Sequence, residues 1–506
     1  MSALLGIDLG TSSVKVVVCS LEGAPEGIGS AEYPILTPLP GHAEQDPAHW
    51  WRATVSAVRQ ALEQAGTPQV LGIGFSGQMH GFVAMGPDQT ALRPAIIWAD
   101  QRSAPLLPEI MERVGTELLS TTCGTAPAAG FLISTLYWLQ KHEPKTLERT
   151  AVLLMPKDYL RFKLTGELGT DASDAAASGI FNVGERVWAD EVIERLQFPR
   201  SIFPKVHPSA QIVGALSGSA ANELGLTAGI PVSVGCADQP AQAVGNGLID
   251  PPLGSVTIGT GGQVFAPLAT PLFDPQLRLH TFCHAPEARW YLLGAMLSAG
   301  MALRWLRETL GSERWSYPQL DQIAAEVEPG SEGLVFLPYL VGERSPLMDP
   351  RAKGSFVGLT LRHGPGHMVR ALLEGVAFAL RQIIEAMVSC GAELNRLVAS
   401  GNGLASPLWR QMLADVLTRP LYQGKDKHAT ERAGVGAALI AGIGIGAING
   451  YDGAQQFAPT FDVLTAPNPQ NAELYESHYR RFLDLYPRLK SWFSGDGAMR
   501  SGASPT

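Results

Sequence analysis

The chain is poor in cysteine. Cys19, Cys123, Cys236, Cys283 and Cys390 are its only thiols in 506 residues, widely separated, odd in number and without a C-x-x-C pair. This excludes a disulfide framework or a thiolate zinc finger and leads to the expectation of reduced thiols in a cytoplasm. Long apolar runs are missing too. The longest, from 433 to 448, is about 16 residues with five glycines, short for a bilayer span, and reads as a closely packed buried helix. The first residues lack the basic, apolar and small-residue succession of an export signal. There is no basic excess: 38 Lys and Arg against 47 Asp and Glu leave a formal charge of -9, which argues against nucleic acid or an anionic membrane as partner while leaving local binding of small anions open. No G-x-x-x-x-G-K-[ST] stretch occurs, so a Walker-type kinase is not indicated.

What is present is an apolar content of 45% with 55 Gly and 37 Pro, the mark of a globular protein with many turns and close backbone approaches. The length exceeds one core, and two domains are expected, 1–247 and 248–494, followed by a flexible tail 495–506. A turn at Asp250-Pro251-Pro252-Leu253-Gly254 motivates the boundary.

Gly6 to Lys15, running into Val16, Val17 and Val18, reads as a β-hairpin with a small, hydroxyl-rich turn at Gly10-Thr11-Ser12-Ser13 suited to an anion. Asp8 at the strand end and Lys15 on the returning strand are a carboxylate able to hold a hydrated Mg²⁺ and an ammonium, as a nucleotide tail requires. An ordinary glycine hairpin is the competing reading. The grammar recurs at Ser255-Val256-Thr257-Ile258, Gly259-Thr260-Gly261-Gly262 and Gln263-Val264-Phe265, suggesting duplicated domains that each offer a phosphate loop.

Asp46-Pro47 is a helix start, with Trp51, Val55, Val58 and Leu62 as the buried stripe. Val70 to Phe75 is a strand that delivers Ser76-Gly77-Gln78-Met79-His80 to its C-terminal end, where ligands gather in α/β sheets. Pro94 to Trp98 is another strand, followed by Asp100. The acidic and hydroxyl residues of Met155 to Leu160 and of Thr170 to Asp174 are expected to cap helices rather than do chemistry. Asp238 sits between a strand end and a helix start, and position alone leaves it either a cap or a base. Gly401-Asn402-Gly403 after the strand at Leu397 would let a flat base or ribose approach the backbone.

Taken in order, Asp8 to Lys15, Gly77 to Gly81, Met155 to Leu160, the Asp238 segment, Gly259 to Gly261, Leu337-Pro338-Tyr339-Leu340 with Gly342-Glu343-Arg344, and Trp409 to Asp415 resemble the FGGY carbohydrate kinase family, in the sugar kinase, Hsp70 and actin superfamily. The resemblance covers the chain from Gly6 to about Ala447. It implies an α/β architecture of two ribonuclease-H-like domains around a central cleft, with ATP and Mg²⁺ as cofactors. Sugar would be held mainly by the first domain and ATP mainly by the second. It implies Asp238 as the base that takes the sugar hydroxyl proton, and Asp8 near Mg²⁺ and the transferred phosphoryl group. Gln78, Met79, His80, Trp98, Asp100 and Gln239 would lie by the sugar. Thr11, Ser12, Lys15, Gly259 and Thr260 would surround phosphates, and Gly401, Asn402 and Gly403 would approach adenosine. Among acceptors it favours D-xylulose, giving D-xylulose 5-phosphate and ADP, with ribulose or ribitol as the alternative. Partners would be a small sugar and ATP, without nucleic acid or membrane, a homodimer being left open.

Three residues depart from the family pattern. Gln239 stands where members acting on xylulose usually have Asn, although Met79-His80 replaces the Arg-Glu pair of glycerol kinases. Asn402 stands where Gly is usual, and Thr135 where Lys is expected. A nucleotide-driven binding machine like actin or Hsp70 is the reading from another class, set back by the lack of a long C-terminal peptide-binding domain.

Overall fold

The computed structural model describes residues 2–311, 314–425 and 431–494, so the tail expected at 495–506 lies outside the described residues. The chain forms two compact units. The first comprises Met1–Asp250, Pro267–Tyr291 and Asp426–Thr460, the second Pro251–Ala266, Leu292–Lys425 and Phe461–Thr506.

In the first unit β1 (Ser2–Leu9), β2 (Ser13–Ser20), β3 (Pro25–Glu32), β4 (Gln69–Gly77), β5 (Ile212–Ala215) and β6 (Pro231–Ser233) lie in the order β5-β6-β4-β1-β2-β3, and β7 (Cys236–Ala237) also pairs with β4. β1 and β2 form the expected antiparallel hairpin, and β1 runs parallel to β4. Alternation does not explain β1 and β2, which are apolar on both faces. One face carries the helix Pro47–Gln64 and the other the helix Arg432–Gly444, as a sheet covered on both sides requires.

The helix Pro47–Gln64 starts as expected: the Asp46 side chain accepts from Ala48 N at 2.9 Å and Pro47 takes the first turn. Its buried stripe differs from the expected one. Trp50, Ala53, Ala57, Val58, Ala61 and Leu62 are buried while Trp51 and Val55 are half-buried. The helix sits on β3 so closely that a Cβ at Gly29 would meet Ala57 O at 1.9 Å, so small residues, not the large ones at 51 and 55, must face the sheet.

The first unit's opening segment ends at Asp250, close to the boundary expected near Gly247, and the chain then returns to that unit twice. Segments Pro267–Tyr291 and Asp426–Thr460, expected in the second domain, belong to the first unit. Glycine explains the second return: a Cβ at Gly6 would meet Gly434 O at 1.9 Å and one at Gly436 would meet Ala241 O at 1.9 Å. The glycine-rich run is thus a buried helix that touches strand and helix backbone directly. Among the described residues no helix is long and apolar enough to cross a membrane.

The second unit repeats the plan. Strands β8 (Leu253–Ile258), β9 (Gly262–Leu268), β10 (Trp290–Met296), β11 (Arg396–Ser400), β12 (Leu421–Gly424) and β13 (Phe461–Thr465) lie in the order β10-β9-β8-β11-β12-β13. β8 is antiparallel to β9 and parallel to β11, β11 is parallel to β12, and β13 closes that edge antiparallel. The same relations hold for β1, β2, β4, β6 and β5 in the first unit. The duplication read from two glycine-threonine turns is therefore one of whole sheets. The long helix Pro365–Ser389 buries Leu372, Val376, Leu380, Ile383, Ile384 and Met387 against this second core.

Candidate active site

Strand register assembles the polar centre of the first unit. Asp8 lies opposite Lys15 across the β1–β2 hairpin and opposite Ser76 on the parallel strand β4. Ser76 Oγ donates to Asp8 Oδ1 at 2.9 Å. β7 pairs with the same end of β4, Cys236 with Ser76 and Ala237 with Gly77, and the chain turns at once into the helix Asp238–Gly245. Gly235, at φ +80°, permits this approach, since a Cβ there would meet Phe75 O at 2.4 Å. Asp8, Lys15, Ser76 and Asp238 are thereby gathered at one end of one sheet, where ligands of α/β folds collect.

Burial raises the Asp238 carboxyl to about 7, the neighbouring charge of Asp8 adds to the effect, and the Gln239 N–H, donating to Oδ1 at 2.7 Å, works against it. Asp8 is also raised by burial, opposed by the Ser76 hydroxyl and the Lys15 ammonium. Two carboxyl groups short of solvent and close enough to repel form a site that favours a cation or a proton between them. An acidity near neutrality lies in the range in which a carboxyl can exchange a proton with a reacting group.

The residues expected by the sugar divide into two groups. Gln78 is buried, its Nε2 donates to Gln45 Oε1 at 2.9 Å, and its Oε1 accepts from no protein donor. Such an acceptor is costly unless a ligand hydroxyl or water meets it. Met79 is buried beside it. His80 adopts φ +72°, stacks on Phe131 with ring centroids 3.8 Å apart, and has Nδ1 2.8 Å from Ala177 O. That carbonyl accepts, so Nδ1 carries a proton. Trp98 is exposed and its Nε1 donates to Thr11 Oγ1 at 2.9 Å, tying the hairpin turn to the strand-end loop. Asp100 is different. It is fully buried, with Ala43 N at 2.7 Å from Oδ2 and Arg102 N and Nε at 2.9 Å from Oδ1. Its carboxylate is spent on holding the loop that presents Trp98. Gln239 is half-buried on the first turn of the Asp238 helix.

The turn at Gly10 to Ser13 closes on itself, Gly10 N donating to Ser13 O at 3.0 Å. Tyr33 braces it, its hydroxyl donating to Gly10 O and its N–H to Ser12 O at 3.1 Å. Ser12 is exposed and Thr11 half-exposed at the tip. Gln45, absent from the sequence reading, donates from Nε2 to Thr11 O at 2.6 Å while its Oε1 accepts from Gln78 and Trp50. One buried amide thus couples the turn to Gln78.

In the second unit a cavity of about 580 Å³ lies beside the other glycine turn. Gly259, Thr260, Asn402 and Gly403 line it, together with Met301, Arg304, Tyr317 and Asp321. The volume suits a nucleoside. The turn is laced to the helix Gly300–Thr309: Gly300 N donates to Gly259 O and Met301 N to Thr260 O, at 2.9 and 3.0 Å. Gly401 carries the positive φ, +89°, and packs on Ile258 O, 2.4 Å from where a Cβ would lie. The left-handed conformation falls on Gly401, so Asn402 needs none and opens the short 3₁₀ turn Asn402–Ala405. Thr135 is likewise accommodated, its hydroxyl donating to Phe131 O at 3.0 Å within its own helix.

Models of the FGGY family of carbohydrate kinases match both halves of the chain, the N-terminal domain over residues 3–245 and the C-terminal domain over residues 254–445. The chain belongs to the FGGY family of carbohydrate kinases. It is an enzyme that uses ATP to phosphorylate a carbohydrate. Among family members it is 36% identical to the xylulose kinase of Escherichia coli over 489 residues, which are 96% of this chain and 99% of that one. It is 30% identical to the gluconokinase of Bacillus subtilis over 504 residues, 97% of each chain. A solved xylulose kinase structure from Rhodospirillum rubrum superposes with a TM-score of 0.90 at 32% identity, covering 97% of this chain and all of that one.

Several residues placed beside these groups escape a linear reading. His280 and Phe282 stack on each other near Phe131 and His80, with centroids 5.6 Å apart for the first pair, and Thr125 Oγ1 meets His280 Nδ1 at 2.7 Å. They arrive on a return segment with no motif of its own. Met301, Arg304, Tyr317 and Asp321 stand on helices whose pattern signals only amphipathicity. Among the described residues no group of three or more His, Cys, Asp or Glu could hold a metal ion.

Proposed function

We propose that this FGGY kinase transfers the γ-phosphoryl group of ATP to the terminal hydroxyl of D-xylulose, giving D-xylulose 5-phosphate and ADP. The observation that carries the reading is Asp238, a carboxyl raised to about 7 beside Asp8. The xylulose kinases among its relatives, 31–36% identical in the E. coli and B. subtilis proteins, favour this acceptor.

Asp238 orients the terminal hydroxyl and accepts its proton as the oxygen forms a bond to the γ-phosphorus and the bond to the β–γ bridging oxygen breaks, ADP leaving with that electron pair. A loose transition state asks for positioning and charge neutralisation more than for a strong base. Asp8 fits a Mg²⁺ site: its carboxylate is desolvated and has one hydroxyl partner. When bound, that ion supplies charge neutralisation on the phosphates. Lys15 adds a second positive charge near Asp8, and Thr11 and Ser12 offer hydroxyls at the exposed turn. Gln78 Oε1 accepts from a sugar hydroxyl, the His80 ring lies by the sugar, Met79 and Trp98 supply apolar walls, Asp100 holds the Trp98 loop, and Gln239 meets the acceptor beside Asp238. Adenosine occupies the cavity lined by Asn402 and Gly403, with Gly259 and Thr260 at the phosphates. A cytoplasmic setting fits five cysteines without a disulfide.

Gln239 and the similarity to a gluconokinase favour a second reading, an FGGY kinase for another acceptor such as ribulose, ribitol or a sugar acid. Coupled ADP release with D-xylulose, D-ribulose, ribitol and gluconate separates the two. D-xylulose should give the highest kcat/KM; background rates with it and turnover with ribitol or gluconate would replace the proposal with the second reading.

A further inference from the structure

Beneath the strand end that carries Asp238 lies a buried charged cluster for which the phosphoryl-transfer reading has no use. Lys157, Asp158, Arg161, Asp171, Ser173 and Asp174 are all fully buried. Lys157 Nζ is 2.7 Å from Asp158 Oδ1, 3.1 Å from Asp171 Oδ1 and 3.6 Å from Asp174 Oδ2. Arg161 Nη1 completes a second pair with Asp158 at 2.8 Å. Removing so many charges from water is expensive, and replacing them with apolar residues is often neutral or better for stability. Their retention in the centre of a domain calls for a positional role.

The hydrogen bonds supply one. Asp171 Oδ2 accepts from Ser173 Oγ at 2.6 Å and from Ser209 Oγ at 2.9 Å. Ser173 Oγ in turn accepts from Ala237 N at 3.0 Å, directly before Asp238. Ser209 O accepts from Gly235 N at 2.9 Å, two residues earlier. Asp171 therefore reaches both sides of Cys236 through two serines, and Lys157 pins the other oxygen of Asp171. Lys157 is itself seated close under β4, since a Cβ at Gly77, the register partner of Ala237, would lie only 2.9 Å from the Lys157 Cβ.

We infer that Lys157, Asp171, Ser173 and Ser209 form a positioning relay that fixes the backbone on either side of Cys236 and so aims the Asp238 carboxylate at the acceptor hydroxyl. All four are buried. The relay rests on the assignment of Asp238 as base. It works through geometry: a hydroxyl shared between an anchored carboxylate and a backbone N–H has one orientation, and a shift of 1 Å in a reacting group costs on the order of 10²-fold in rate. Asp174, whose two oxygens have no hydrogen-bond partner, balances the cluster rather than aiming anything. Burial holds its carboxyl well above the ordinary range, against Lys157.

The test is a double-mutant cycle on the full-length enzyme with ATP and the best acceptor. Ser173→Ala should lower kcat by about tenfold or more, with KM for sugar and ATP within about twofold. In an Asp238→Asn background the same substitution should change the residual turnover by less than about twofold, because the group being aimed is gone. Ser173→Cys, close in size and a weak acceptor, repeats the measurement should Ser173→Ala not fold. Asp174→Asn should keep kcat within about threefold, because neither carboxyl oxygen of Asp174 takes part in the hydrogen bonds of the relay. Equal effects of Ser173→Ala with and without Asp238, or a fall in thermal midpoint with kcat unchanged, would overturn the relay alone. Near-normal kcat of Asp238→Asn by itself would overturn the base assignment, and the relay with it.

Discussion

At the scale of the residue, acidity and hydrogen-bond completeness separate the groups that act from those that support. With Asp238 at about 7, kcat/KM for the sugar should rise with pH and level off above about 7, since the carboxylate is the competent form. A pH–rate profile that is flat from 5 to 8 would remove that assignment. Stability should follow the opposite course. Asp238 has its acidity lowered by folding, so its contribution is whole below about 4, the unfolded value, and is lost as pH rises through about 7. Asp238→Asn lacks this loss, and its thermal midpoint should gain on that of the wild type between pH 4 and pH 8. His80→Ala removes a ring that is stacked on Phe131 and bonded to Ala177 O, and should raise KM for the sugar by about tenfold or more with the nucleotide KM unchanged. An unchanged sugar KM would take His80 out of the acceptor site.

At the scale of the element, close packing against backbone decides what can vary. A Cβ at Gly436 would meet Ala241 O at 1.9 Å, between two helices that cannot separate without lifting Asp238 from the strand end. Gly436→Ala should cost about 3 kcal/mol or more in denaturant unfolding; a loss under about 0.5 kcal/mol would show that this contact yields. The hairpin and the run from 433 to 448 were legible because unbroken apolar stretches and small-residue turns leave few alternatives. On the helix Pro47–Gln64 the expected Val58 and Leu62 are buried and Trp51 and Val55 pack at the margin of the same core, while the small residues Ala53, Ala57 and Ala61 of the centre escape notice because close approach to Gly29, not residue size, selects them. Thr170 to Asp174 was legible only as a cap. Asp171 does cap its helix, accepting from Ser173 N at 2.9 Å, but its bonds to Lys157 and Ser209 join positions far apart in sequence, and nothing local announces them. His280 and Phe282 were hidden for the same reason.

At the scale of the whole molecule, a duplicated sheet plan gives each unit a glycine turn at its hairpin and a polar patch at the adjoining strand ends, one with carboxylates and one with a nucleoside-sized cavity. Division of labour follows if the first holds the sugar and the second the nucleotide. Gly403→Val should then weaken ADP binding by about tenfold or more, because even a Cβ there would lie 2.3 Å from Ile258 Cγ2, while sugar binding stays within about threefold. Equal losses for both ligands in calorimetric titrations would contradict that division. The duplication itself could be read from two turns, whereas the two returns of the chain into the first unit could not, since membership in a core is a property of long-range packing. The most direct test is D-xylulose-dependent ADP release by wild type and Asp238→Ala, with ATP affinity measured in parallel. Turnover should fall by about 10²–10⁴-fold with ATP affinity retained. Near-normal turnover in Asp238→Ala, or no stimulation of the wild type by D-xylulose, would contradict it.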